Sequence, residues 1–378
     1  MEVLPFIYGK IAEIQNFTDR EKEREHLAQN FISLVNTMVI SPRRWGKSSL
    51  VKKTSQQVMA DYKDIKVCLL DIFNVRNEAE FYMYFAQSLV KTTSNRWEEW
   101  VENAKTFLSR LMPKITFSPD NQAEISFGME WEEFKKNPDE IIDLAETIAK
   151  AKGIKLVVCI DEFQSIGNFE DSLAFQRKLR AHWQHHQNVA YCLYGSKRHM
   201  LLDIFSNPEM PFYKFGDIMF LEKIDNKVWG KFIQKRFKDT GKTISRKEAE
   251  YLAERVENHS YYVQQLAQQA WLRTKTECSI PIIDDSLQSI KNQLSLLFVG
   301  LTEMLTATQL YFLRAIIDGK TVFGQETLNK YRLGTSANVI RIKDALLSKE
   351  IIDITAKNVE IQDPVFKLWL KEEYFVMK

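Results

Sequence analysis

Surplus charge is the first thing this sequence lacks. Its 52 Lys and Arg face 50 Asp and Glu, leaving a formal net charge of +2 across 378 residues. A chain so nearly neutral has no overall field to gather nucleic acid or an anionic membrane, so only local patches stay open to such a role. Cysteine is scarce too, at 4 residues. Cys68, Cys159 and Cys192 lie in apolar, strand-like runs and Cys278 stands alone. That distribution suits buried thiols in a reducing compartment, not a disulfide framework or a zinc site. Long apolar runs are missing as well. No segment reaches membrane-spanning length, and the opening MEVLPFIYGK holds no apolar stretch long enough for a signal peptide. We therefore expect a cytoplasmic protein with no membrane partner.

What is present is 45% apolar and 27% charged, the proportions of an ordinary globular protein, with length for two or three domains that have cores of their own. The stretch that organises the rest is residues 36–50, NTMVISPRRWGKSSL. An apolar run of Met38, Val39 and Ile40 breaks at Ser41-Pro42, passes Arg43, Arg44 and Trp45, and reaches Gly46-Lys47-Ser48-Ser49. A helical pattern begins there. A strand, a tight loop and a helix start are the context a phosphate-binding loop requires. Backbone N–H groups at such a helix start point at an anion, and Gly46, having no Cβ, lets the main chain approach it. Lys47 supplies a mobile positive charge for β- and γ-phosphate oxygens, and Ser48 a hydroxyl for Mg²⁺. The full pattern is G-x-x-x-x-G-K-[ST], and Ser41 replaces its first glycine. An ordinary glycine turn before an exposed lysine is the competing reading.

Ahead of this loop, Thr18 or Asp19 is placed to cap a helix whose apolar side holds Leu27, Phe31 and Leu34. The segment before it, with Ile14 and Phe17, either lies over an adenine ring or is a plain helix entry. After the loop helix, residues 67–73 read as a parallel strand buried on both faces and residues 78–90 as a helix. Residues 97–139 break the α/β alternation. A Trp- and Phe-rich helix is followed by alternating runs at 114–118 and 123–128 around Pro119-Asp120-Asn121, which predicts a β-hairpin insertion. A flap over a site and a partner surface are both open for it.

A helix over 139–151 ends at Gly153, and the apolar strand that follows ends in Asp161-Glu162. A carboxylate at a strand's C-terminal end can hold the hydration shell of Mg²⁺, while the neighbouring Glu polarises an attacking water. Solvated acids at a sheet edge are the bland alternative. The order favours the former, because Asp161-Glu162 follows the loop with helix–strand units between them, as a parallel sheet needs. A helix over 172–186 leads to a strand over 188–194, whose end presents Ser196, Lys197 and Arg198. Ser196 is placed to contact a γ-phosphate or a water, or else to make a plain turn with Gly195. His182, His185 and His186 share a helix face that we expect to be solvated, not metal-binding. A strand over 217–221 completes the set. Helices over 226–237, 246–256, 261–273 and 284–298 follow.

The last segment reads differently. Helices over 306–318, 325–331 and 337–349, the third capped by Thr335 or Ser336, precede strands at 351–355 and 359–362. Three helices and a hairpin make a winged helix-turn-helix. Residues 300–378 carry 11 Lys and Arg against 10 Asp and Glu, and Asp344 interrupts a patch of Arg332, Arg341 and Lys343. A reader of DNA leans on phosphate contacts and is more basic than this. We expect an internal or protein-contact role, with DNA not favoured by charge.

Taken in order, FTDREKE, ISPRRWGKSSL, LVVCIDEFQ, YGS, PFYKF, NHSYYVQQL and a terminal winged helix resemble the archaeal-type P-loop ATPases of the AAA+/STAND-like NTPases. The resemblance covers nearly the whole chain. It implies an α/β fold: a five-stranded P-loop NTPase parallel sheet of the additional-strand, catalytic-Glu type, with the hairpin insertion, a helical lid domain and the winged helix-turn-helix. The corresponding divisions are an ATPase core at 1–222, with the insertion at about 97–139, a lid at 223–299 and a winged helix at 300–378. The resemblance makes residues 41–49 the Walker A loop, Asp161 the Walker B acid, Glu162 the catalytic base and Ser196 the sensor-1 residue. It places His259-Ser260-Tyr261 at the lid motif that touches nucleotide, although Asn258 and Ser260 stand where that motif often has Gly and Pro. Residues 211–215 read PFYKF where the family has PFYGR, so no trans-acting arginine is expected there.

The implied function is Mg²⁺-dependent binding and hydrolysis of ATP to ADP, driving a conformational switch. In it Lys47 serves the β/γ-phosphates, Ser48 and Asp161 the metal, and Glu162 the water, with a protein partner or self-association downstream. Adenine is favoured over guanine by the resemblance and by the lack of an Asn/Thr-Lys-x-Asp motif. An ATP-gated DNA-binding regulator and a non-hydrolysing nucleotide scaffold are the alternatives.

Overall fold

A computed structural model of the chain describes residues 4–10, 18–94, 99, 102–103, 106–107, 138–355 and 358–376. Phe17, the expected hairpin at 114–128 and most of the 97–139 insertion lie outside the described residues. Two compact units account for the fold. One comprises residues 20–43 and 47–221, the other residues 1–19, 44–46 and 222–378.

The first unit is an α/β layer. Helix α1 (Glu21–Ile32) leads into β1 (Thr37–Ile40), and the loop after it opens α2 (Lys47–Asp61). Then come β2 (Ile65–Asp71), α3 (Glu78–Thr92), α4 (Pro138–Ile142), α5 (Leu144–Lys152) and β3 (Lys155–Asp161). A 3₁₀ turn (Phe163–Asn168), α6 (Ser172–Trp183), β4 (Val189–Gly195), α7 (Arg198–Ser206) and β5 (Asp217–Phe220) complete it. All strand pairs are parallel, in the order β2-β3-β4-β1-β5. The strands are continuous apolar runs because helices bury both faces of such a sheet, and Met38, Val39, Ile40, Val157, Val158 and Ile160 are all fully buried.

The register positions the site. Ile40 pairs with Gly195, Ile160 with Leu193 and Asp71 with Asp161. The residues after β1, β3 and β4 therefore emerge at one edge of the sheet, with β4 lying between the loop strand and the Asp161 strand.

Two local expectations are corrected here. Neither Thr18 nor Asp19 caps α1. Arg20 is the N-cap, in a left-handed conformation with φ 73° and no side-chain cap, and its guanidinium bonds Glu23 Oε1 at 2.7 Å. The histidine face is only partly solvated: His185 is exposed as expected, but His182 is half-buried and His186 is enclosed. The helix ends at Trp183, so His186 sits in the turn before β4, its side chain only 4% exposed. Its Nε2 lies 3.0 Å from Asp143 Oδ1 and its Nδ1 2.8 Å from the Tyr191 hydroxyl, while His182 Nδ1 reaches the same carboxylate at 2.9 Å. Buried imidazole nitrogens must find partners, and β4 and the α4–α5 junction supply them.

The second unit is mainly helical: α8 (Asn226–Lys238), α9 (Arg246–Arg255), α10 (Ser260–Arg273) and α11 (Ile280–Glu303). Ser245 and Glu248 make a capping box that starts α9. The helix expected over 284–298 is longer than its apolar pattern suggested and runs unbroken past Gly300. The winged helix follows as α12 (Ala307–Ile317), α13 (Gln325–Lys330), α14 (Ser336–Ser348) and an antiparallel hairpin of β6 (Ile352–Thr355) and β7 (Asn358–Ile361), closed by α15 (Pro364–Trp369). Thr306 with Gln309 boxes the start of α12, and Thr335 accepts from Asn338 N to start α14. The chain's opening also packs in this unit. Phe6 is fully buried with its ring 5.7 Å from Phe237, and Arg236 Nε donates to the Pro5 carbonyl.

Candidate active site

Lys47 is the first residue of α2 and is 95% buried, so its ammonium must be satisfied internally. Its Nζ donates to the Ser41 carbonyl at 3.0 Å, to Ser41 Oγ at 3.2 Å and to the Pro42 carbonyl at 2.9 Å. Three acceptors for three protons complete its capacity. Burial lowers its pKa to about 8, against the opposing pull of Asp161 and Glu162.

The loop's glycine requirement is conformational. Gly46 has φ +96°, yet a Cβ built on it would meet nothing within 4 Å, so a side chain is opposed by the backbone angle and not by space. Positive φ recurs at Arg44 (+65°) but not at Ser41, which explains why serine can stand where the loop pattern has its first glycine. Ser41 is 1% exposed, and its hydroxyl becomes a ligand of Lys47. Arg43 is exposed, Pro42 buried and Ser49 half-buried on α2. Arg44, Trp45 and Gly46 group with the second unit. There the Arg44 guanidinium lies 4.5 Å over the Tyr261 ring, and Lys223 Nζ is 5.9 Å from the Trp45 ring.

From β1 and β3 the fold brings Ser48 against Asp161, with Ser48 Oγ donating to Asp161 Oδ2 at 2.6 Å. Asp161 Oδ1 accepts from the Glu162 amide at 2.8 Å. Burial raises the Asp161 carboxyl to about 6, the Ser48 bond and Lys47 only partly offsetting it. Two opposite charges thus sit at one sheet edge, each penalised by desolvation.

Glu162 directly follows β3 with φ +56°, a left-handed angle that turns the chain sharply out of the strand. Its Oε2 accepts from Ser196 Oγ at 2.9 Å, from the Ser196 amide at 3.4 Å and from Gln164 Nε2. Glu162 and Ser196, singled out separately at two strand ends, are therefore in direct contact.

Comparison with solved structures bears on this arrangement. The Walker-type ATPase paby2304 of Pyrococcus abyssi superposes with a TM-score of 0.68 at 17% identity, over 98% of this chain and 100% of that one. The ORC2 protein of Aeropyrum pernix, in its ADPNP–ADP complexes, gives a TM-score of 0.57 at 14% identity, over 96% of this chain and 92% of that one. The fold is shared with both of these proteins. Residues 296–372 match the family described as a probable winged helix domain. No curated protein matches the chain in sequence.

Within this fold, the donor set at Ser48 and Asp161 is a hydroxyl in contact with a carboxylate. Hard oxygens of this kind suit Mg²⁺, which takes one or two protein ligands and completes its shell from phosphates and water. Among the described residues no group of three or more His, Cys, Asp and Glu could hold a metal by itself, and no helix is long and apolar enough to cross a membrane. All four cysteines are free and buried. Sequence reasoning missed Gln164, a buried amide in the DEFQ turn. Its signal was a polar residue set between Phe163 and Ile166, both fully buried.

Proposed function

We propose that this chain binds Mg²⁺-ATP at residues 41–49 and hydrolyses it to ADP, and that the reaction drives a switch among an ATPase core (1–222), a lid (223–299) and a winged helix (300–378). The observation that carries the reading is the convergence of Lys47, the Ser48–Asp161 pair and the Glu162–Ser196 pair at the C-terminal ends of β1, β3 and β4. That edge is where ligands bind in parallel α/β sheets.

In this mechanism Lys47 exchanges its bonds to Ser41 and Pro42 for β- and γ-phosphate oxygens, and amides at the start of α2 hold the phosphate chain. Ser48 and Asp161 hold Mg²⁺, which when bound neutralises charge on the phosphate oxygens. Glu162 accepts the proton of the attacking water, and Ser196 orients the carboxylate. Desolvation already penalises the charges of Lys47 and Asp161, so an anion and a cation arriving together relieve both. The near-balanced charge of residues 300–378 favours a protein partner or self-association over DNA for the winged helix.

The test is paired calorimetry and phosphate release on the full chain. Lys47→Ala is expected to lose ATP binding. Glu162→Gln is expected to keep binding and lose turnover by two orders of magnitude or more, roughly the worth of a general base. Wild-type turnover in Glu162→Gln overturns the assignment.

A further inference from the structure

The proposed base makes one contact that the proposed mechanism does not use. Gln164 lies in the 3₁₀ turn after β3 and is 2% exposed, and its Nε2 donates to Glu162 Oε2. A carboxylate can only accept, so the amide nitrogen is the end that must face it. The other end, Oε1, is buried with no hydrogen-bond partner among the described residues. A buried amide oxygen left unpaired costs about 1–3 kcal/mol, so packing alone would select an apolar side chain here.

A second observation shows how closely the surroundings are fitted to this amide. A Cβ on Gly195, the last residue of β4, would lie 1.9 Å from Gln164 Oε1 and 3.2 Å from Glu162 Cα. Gly195 has no positive φ, so its backbone would tolerate a side chain. What a side chain there would remove is the space that Gln164 and the Glu162 backbone occupy. Ser196, the next residue, supplies the other two donors to the same carboxylate oxygen.

We propose that Gln164 is a positioning residue for the Glu162 carboxylate, an inference that rests on Glu162 being the base. Gln164 and Ser196 together saturate Oε2, and Oε1 accepts from no described residue. The geometry divides the carboxylate into an anchored oxygen and a working one, and Oε1 takes the water's proton. The contact of Gln164 is with Glu162, so in this role it acts on the base and not on nucleotide or water directly. It acts by removing the rotational freedom of a side chain that leaves the strand at a left-handed turn.

The test is steady-state ATP hydrolysis by the full chain carrying Gln164→Met, which keeps the volume and loses the donor, and Gln164→Glu, with Glu162→Gln alongside. Gln164→Met is expected to lower kcat about 10- to 100-fold, the worth of a hydrogen bond to a charged group, with KM for ATP unchanged. In Gln164→Glu, turnover is expected to recover as pH falls, because a protonated carboxyl at 164 again donates to Glu162. A merely structural role would not move that profile. Wild-type kcat in a folded Gln164→Met, or a raised KM at unchanged kcat, overturns the inference while Glu162→Gln stays inactive. Wild-type turnover in Glu162→Gln instead overturns the base assignment, and this inference with it.

Discussion

Ser48 Oγ and Asp161 Oδ2 stand 2.6 Å apart although 113 positions separate them in the chain. The contact forms because β4 alone separates their strands and both strands end at the same sheet edge. It holds a carboxylate in a place where burial makes its charge costly.

The cost of that charge is measurable. A carboxyl raised to about 6 in the fold contributes stability that is full below its unfolded value and is lost as pH rises through about 6. Without Mg²⁺ and nucleotide, Asp161→Asn is therefore expected to be more stable than wild type at pH 8, by roughly 2–3 kcal/mol. The difference shrinks toward pH 4. Urea unfolding at the two pH values checks this, and equal midpoints at pH 8 would refute it. The same variant is expected to lose Mg²⁺-dependent nucleotide binding, a stability–function trade of a usual kind.

His259 gives the opposite sign in the second unit. It is 6% exposed at the start of α10, and burial, then Lys223 and Arg44, lower its pKa to about 4. Folding favours the neutral ring, so its contribution is full above pH 6.5 and is lost as pH falls toward 4. Between pH 7 and pH 5 the loss is on the order of 2 kcal/mol. His259→Gln is expected to flatten this part of the stability profile. His186, also lowered by burial, acts in the same direction in the first unit, so an unchanged slope in the His259 variant would assign the effect elsewhere.

Gly216 tests the register of the edge strand. A Cβ there would lie 2.1 Å from the Asn36 carbonyl oxygen, which accepts from Asp217 N at 2.8 Å to begin the β1–β5 pairing. Asn36 Oδ1 also accepts from Tyr191 N at 2.9 Å, so one residue ties the entry of β1 to both neighbours. Backbone cannot yield as a flexible side chain can. Gly216→Ala is expected to cost about 2 kcal/mol or more, near the upper range for overpacking, read as a lower denaturant midpoint. An unchanged midpoint would show that β5 shifts freely.

Much of the fold is local, and so it could be read in order along the chain. The apolar runs at β1, β3 and β4 announce strands because a parallel sheet buries both faces. The polar residues that end them, Ser41, Asp161-Glu162 and Ser196, stand out against those runs, and the capping residues Thr306 and Thr335 mark helix starts by their own chemistry. The cap of α1 did not follow that rule, since two left-handed residues turn the chain there without a side-chain acceptor.

Periodicity reports which face of an element is apolar. It does not say which partner a buried polar group will find. His186 looked like part of a solvated stripe until the end of its helix and the approach of Tyr191 and Asp143 enclosed it. Gln164 gave no pattern of its own, and its meaning comes from Glu162 two residues earlier and Gly195 on another strand. Sequence alone determined which segments are strands and helices and which polar residues end β1, β3 and β4, because those preferences act over a few positions, while several helix ends, among them those of α1, α6 and α11, moved with their surroundings. Strand order, the meeting of Ser48 with Asp161 and the fastening of Glu162 were decided by tertiary structure, because desolvated polar groups are satisfied by whatever the packed chain brings within 3 Å or so.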